Sequence, residues 1–126
     1  MPIRYWIDKD RRLVRFTLSG VFSTREMFDA VGGALRDPKI EKGFDVLSDH
    51  SRIERFITTP EVTDLVQFIA GFNSLMKDAK WAVITRHPAS YGMMRMLSVY
   101  LENIPMKLRL FESEDDALDW LRPPGD

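Results

Sequence analysis

The chain has no cysteine among its 126 residues. That excludes disulfides, thiolate zinc sites and cysteine nucleophiles, and it matches a reducing compartment. Histidine is scarce too. The two present have no acidic partner at ligand spacing, so neither a metal site nor a cofactor is expected. Charge of one sign is lacking: 18 Lys and Arg oppose 19 Asp and Glu, for a net charge of −1. Neither half is strongly basic, so the electrostatic footprint of nucleic-acid binding is missing. No window approaches the roughly 20 apolar residues of a membrane span. The first residues, MPIRYWID, hold neither a long apolar run nor a cleavage-like site. Repeats and low-complexity segments are also absent. These absences leave a cytoplasmic, soluble domain of ordinary composition, 44% hydrophobic and 29% charged. One domain is expected over residues 1–122, with a frayed tail at 123–126.

Periodicity supplies the elements. Residues 3–8 and 13–19 alternate apolar and polar around the turn residues DKDRR, which predicts a β-hairpin. A helix then starts at Ser23, with Glu26 three residues on as the second half of a capping box. Phe22 and Met27 form the hydrophobic staple, and the helix runs to about Asp37, before Pro38. Gly32 and Gly33 lie inside it at a cost of about 1 kcal/mol each relative to Ala, so close packing against a strand is expected there. Strands follow at 44–49, 80–86 and 106–112, and helices at 59–77, 89–104 and 113–122. The order β-β-α-β-α-β-α-β-α predicts an α/β fold. Its five-stranded sheet is mainly parallel, with an antiparallel N-terminal edge strand. Ligand sites in such sheets are expected beyond the carboxyl ends of the strands.

With the elements in this order, the chain resembles the SpoIIAA-like proteins, whose fold is that of STAS domains. The resemblance rests on the strand KWAVITR before a Met-rich helix, and on the ending LRLFESEDDALDWL. That ending is similar to the family's strand, Phe, acidic turn and Ala-x-x-Trp-Leu helix. The resemblance covers nearly the whole chain and implies a binding domain rather than an enzyme. In the STAS antagonists a serine in an Asp-Ser-x-Gly turn starts the helix after the third strand, and its phosphorylation breaks partner binding. Thr58 and Thr59 stand at that place here, without the flanking Asp and Gly. They are the candidate phosphosites of a regulatory interaction module. The local pattern also supports a structural role: Thr58 with Glu61 makes a capping box, Ile57 with Val62 a staple, and Pro60 sits in the first turn.

Catalytic residue types occur in SDHSRIER, residues 48–55, but adjacent residues of an extended stretch point to opposite faces and do not form a relay. An enzyme using His50 or His87, with a pocket near the carboxyl edge of the sheet where His87, Ser90 and Asp49 lie, is the enzymatic alternative. The simpler reading is that Asp49, Ser51 and Arg52 tie down a loop by turn bonds. The more informative feature is apolar excess on the second and third helices. In the second, Val62, Leu65, Val66, Ile69, Phe72 and Met76 face the sheet, and Phe68 and Leu75 widen the stripe. In the third, Met93, Met96 and Val99 extend the core face around the side. Such a surplus is covered by helix-on-helix packing, a ligand, a second copy in a homodimer, or a membrane surface in peripheral contact.

The expected function is therefore a small apolar or amphipathic, lipid-like ligand held between the second and third helices. Its candidate residues are Phe68, Phe72, Met93, Met96 and Tyr100. Arg52, Arg55, Arg86 and Arg95 are a candidate anion rim, with a solvated charged face as the alternative. The partners expected are a small ligand or a protein, and not nucleic acid.

Overall fold

Alternating hydrophobicity pairs β1 (Ile3–Asp8) antiparallel with β2 (Leu13–Gly20), from Ile3 against Leu18 to Asp8 against Leu13. The computed structural model describes residues 2–55, 57–87, 92, 95, 99 and 106–121. After β2 come α1 (Thr24–Leu35), β3 (Asp45–Ile53), α2 (Thr59–Ala70), α3 (Asn73–Met76) and β4 (Lys80–Ile84). The described elements close with β5 (Lys107–Phe111) and α4 (Glu114–Leu121). The five strands lie in chain order, β1-β2-β3-β4-β5, and every pair after the first is parallel. This is the expected sheet with its antiparallel edge strand.

Because the strands advance steadily in one direction, right-handed crossovers put α1 and α2 on the same face. Met27, Leu35, Val62, Leu65 and Ile69 accordingly share one core cluster with Val14, Phe16, Val46 and Trp81 of the sheet. The opposite face is thinner. There Leu13, Leu47, Ala82 and Ile84 meet Ala117 and Leu121 of α4. A strand order without reversal has no switch-point crevice among the described strands, so the space available to a ligand has to lie elsewhere.

Both predicted capping boxes form. Ser23 Oγ accepts from Glu26 N at 3.0 Å while Glu26 Oε1 accepts from Ser23 N at 2.9 Å. Thr58 and Glu61 repeat the arrangement on α2. Both staple pairs, Phe22 with Met27 and Ile57 with Val62, are buried.

Two elements depart from expectation by more than two residues. The second helix is not continuous over 59–77: α2 ends at Ala70, with Gly71 as its cap, and Phe72 starts the short α3. Glycine is a weak helix former, and the tightened turn lets Phe72 N donate to Ile69 O at 2.8 Å. The strand at 44–49 runs on through His50, Ser51 and Arg52 to Ile53, because it pairs with β2 as far as Gly20 across a register shift. Ser51 and Arg52 are thus strand residues and not loop ties, although Asp49 Oδ1 does accept from Ser51 N at 2.9 Å. The predicted helix at 89–104 lies outside the described residues except at Gly92, Arg95 and Val99, which are helical.

The two helical glycines separate in their roles. A Cβ on Gly33 would meet Tyr5 of β1 at 3.4 Å, an ordinary contact, so the predicted approach to a strand occurs there. On Gly32 it would meet the Arg36 guanidinium at 2.8 Å and the Phe68 ring at 3.1 Å, so this glycine faces a helix and not a strand. Gly33→Ala should therefore raise stability by up to about 1 kcal/mol through helix propensity. Gly32→Ala should gain less, because the ring must shift. Paired urea melts of the two variants check this, and a larger gain for Gly32→Ala would contradict the packing described.

Candidate functional site

A strand's period of two puts Val46, Ser48 and His50 of β3 on the face covered by α1 and α2. Leu47 goes to the other side, against α4. Two polar residues are thus driven into an apolar layer, where each needs a partner. Register supplies it: Val46 pairs with Trp81 and Ser48 with Val83, which sets the Trp81 indole beside Ser48. Trp81 Nε1–H donates to Ser48 Oγ at 2.9 Å, and Ser48 Oγ lies 3.0 Å from His50 Nε2.

One direction in this chain of contacts is fixed. An indole N–H only donates, so Ser48 Oγ accepts from it and is left with its own proton to give. A serine oxygen has two lone pairs, so His50 Nε2 either takes that proton or donates to the same oxygen, according to its tautomer. Burial agrees with neutrality. His50 is 3% exposed, and desolvation pushes its pKa down to about 4, against a smaller upward pull from Asp49. Among the described residues, the side chain of His50 has no hydrogen-bond partner besides Ser48.

These residues border a cavity of about 70 Å³ between the sheet and the helices. Its apolar wall includes Phe16 and Leu18 from β2, Met27 from α1, Leu65 and Ile69 from α2, and Met76 from α3. Ser48, His50 and Trp81 also line it, and the surface turned to the cavity is almost wholly apolar. The space is partly open to solvent and has room for several water-sized spheres.

Ser48 and His50 have the contact distance of a nucleophile and its base. Their surroundings tune them otherwise. An imidazole with a pKa of about 4 is a poor acceptor for a serine proton at neutral pH. Trp81 occupies a lone pair of the same oxygen. Asp49 projects from the opposite face of the strand, so it does not orient the ring as the third member of a triad does. The expectation that this segment forms no relay holds for the adjacent residues, but it overlooked the i, i+2 pair. The available signal was strand period: had the strand been extended past Asp49, Ser48 and His50 would have shared the face of Val46.

A second polar cluster lies where α1 and α2 begin. Glu61, buried in the first turn of α2, accepts from Arg55 Nη1 at 2.9 Å and Nη2 at 2.7 Å. Thr24 Oγ1 donates to it at 2.5 Å, and Thr58 N and Oγ1 each at 2.9 Å. These bonds, led by those from Arg55, hold the Glu61 carboxyl well below the usual carboxylate range. Arg55 also donates from Nε to Phe22 O at 2.5 Å and lies over the Phe22 ring, 4.5 Å from its centre. One carboxylate thereby ties together the starts of two helices 37 residues apart.

Some of the residues proposed from sequence fall within the described framework. Phe68 and Phe72 do come together, at 5.5 Å between ring centres. Phe68, however, packs edge-on against Phe28 of α1 at 5.4 Å, and Arg36 lies over both rings. Phe28 and Arg36 make α1 and its end their neighbour among the described residues. Met93, Met96 and Tyr100 lie outside the described residues, as does Ser90. Of the proposed anion rim, Arg55 is engaged by Glu61, and Arg86 Nε donates to Glu112 O at 3.1 Å. Arg52 is exposed on β3 and Arg95 is exposed and helical. Thr58 and Thr59 are both exposed, and the Thr58 hydroxyl is used within its capping box. Among the described residues no group of three or more metal-ligating side chains occurs, and no helix is long and apolar enough to cross a membrane.

No family model and no curated protein matches the chain. A solved structure does: an uncharacterized protein of the DUF3478 family, with a SpoIIAA-like fold, from Shewanella loihica PV-4. It superposes with a TM-score of 0.62 at 20% sequence identity, covering 94% of this chain and 91% of that one. The fold of this chain is SpoIIAA-like, as the strand order and the antiparallel edge strand also indicate.

Proposed function

We propose that this SpoIIAA-like domain is a binding protein, and that it holds a compact, largely apolar small molecule in the cavity between the sheet and helices α1 to α3. The cavity itself carries the reading. The space, about 70 Å³, is lined mainly by apolar side chains and is partly open to solvent. A ligand that fills it removes that apolar lining from water. The volume suits a few heavy atoms, such as a small hydrocarbon skeleton or the end of a longer chain. The weak basicity of His50 supports binding over reaction. A regulatory interaction switched by phosphorylation is less well supported at Thr58, where a phosphate would meet the Glu61 carboxylate that the hydroxyl now serves.

Titration with cyclopentane, followed by methyl NMR, tests the proposal. Saturable shifts should appear at Met27, Leu65, Ile69 and Met76, with a rise in Tm. Filling the space with Ile69→Phe should abolish the response while keeping a cooperative thermal transition. Wild-type protein that shows no saturable shift up to the solubility limit of the probe would refute the proposal.

A further inference from the structure

Among the described residues, β1 is an open edge of the sheet. Its ladder fixes which backbone groups face outward. Ser19 N donates to Pro2 O at 2.8 Å, one step beyond the Ile3–Leu18 pair of the β1–β2 register. Bonded and non-bonded pairs alternate along an antiparallel ladder. Arg4, Trp6 and Asp8 therefore turn their N–H and C=O groups to β2, and Ile3, Tyr5 and Ile7 turn theirs to the open edge. Such an edge is a template for another strand, and the side chains of β1 match its own sequence. Ile3, Tyr5 and Ile7 lie on the face shared with α1. Arg4 and Trp6 are exposed on the other face, Trp6 at 47%. Laid antiparallel to a second copy about Tyr5, the strand IRYWI sets Ile3 against Ile7, Tyr5 against Tyr5 and Arg4 against Trp6. The isoleucine and tyrosine pairs use the outward-facing groups, two hydrogen bonds to each pair. Arg4 and Trp6 fall at the closely spaced non-bonded positions, where a guanidinium meets an indole favourably. Arg15 already reaches the Trp6 ring from β2, 5.1 Å from its centre, and Asp8 is the diagonal neighbour of the incoming Arg4. Centring on Arg4 would set that cation against itself, and centring on Trp6 would leave Ile3 facing the turn residue Lys9. The edge at β5 lacks this match: Lys107 and Arg109 share one face, so any antiparallel self-pairing that overlaps them opposes like charges. We propose that two copies of this chain join through β1, antiparallel about Tyr5, into one sheet continuous across both, with Arg4 and Trp6 as the pair that sets the register.

Sedimentation of the full chain over a concentration series, with amide hydrogen exchange at both ends of the series, tests the proposal. Wild type should form a dimer, and the amides of Ile3, Tyr5 and Ile7 should be protected where the dimer dominates and exchange freely on dilution. Arg4→Glu should weaken the dimer about tenfold or more. Adding Trp6→Lys to it should restore the dimer, because opposite charges again face each other in the register centred on Tyr5. Both side chains are exposed, so each variant should keep the thermal transition of a folded domain. Should either fail to fold, amide exchange of the wild type decides alone. A wild-type chain that stays monomeric to about 1 mM overturns the proposal and leaves the edge to a strand of a different protein. A dimer whose edge amides stay unprotected, or one indifferent to Arg4→Glu, overturns it by placing the contact elsewhere. A double variant that stays dissociated overturns the register.

Discussion

Arg55→Ala should cost the fold about 3 kcal/mol, toward the lower end of the range for breaking a buried ion pair from one side. The reason is the group left behind. Glu61 is only 8% exposed, and removing the guanidinium strands its carboxylate with hydroxyl and amide donors alone. The same substitution strips a donor from Phe22 O and a cation from the Phe22 ring. Removing both charges with Arg55→Met and Glu61→Leu should cost clearly less than the two single changes added together, because no unpaired charge remains. Urea melts of the two single variants and the double variant give the coupling directly. A loss below about 1 kcal/mol for Arg55→Ala would class the pair with ordinary surface ion pairs and remove the cluster from any account of how α1 and α2 are joined.

Stability should fall by about 3 kcal/mol as pH drops from about 6.5 to about 4, through His50 alone. In the unfolded chain this imidazole takes up a proton near 6.5, and in the folded protein burial delays that to about 4. Between those values the unfolded state binds more protons, so acid favours it; above 6.5 the group contributes no slope. At about 1.4 kcal/mol per pH unit the interval amounts to about 3 kcal/mol. Glu61 acts lower down. Its folded pKa is depressed from 4.5, so the stability it supplies is present above that value and is lost as pH falls further. Asp45, whose carboxyl burial raises above its ordinary value, works in the opposite sense in the acid range. Denaturant melts at a series of pH values, on wild type and on His50→Phe, isolate the histidine: the decline between about 6.5 and 4 should be smaller in the variant by the His50 contribution. An equal slope in both proteins would mean that His50 is not buried and neutral.

What the residues determined unaided is local. Ser23 with Glu26 and Thr58 with Glu61 are three apart, and the staples Phe22–Met27 and Ile57–Val62 five apart, so their geometry follows from helix starts whatever the rest of the chain does. The edge hairpin is legible for the same reason, since a short turn and a period of two fix its register. The SpoIIAA-like fold then follows from the order of such elements and the handedness of crossovers.

Tertiary structure decided the remainder, and in each case through contacts distant in sequence. Glu61 reads as half of a capping box, yet Thr24, 37 residues away, makes it a junction between helices. Ser48 reads as an unremarked serine until the neighbouring strand brings the Trp81 indole to it across 33 residues. Phe68 and Phe72 were assigned by helical period to an apolar stripe, but period does not name the neighbour, and α1 proved to be on that side. The cavity is the extreme case. It consists of the space that side chains from every layer on one face of the sheet fail to fill, and only their packing in three dimensions determines where it lies and that His50 borders it.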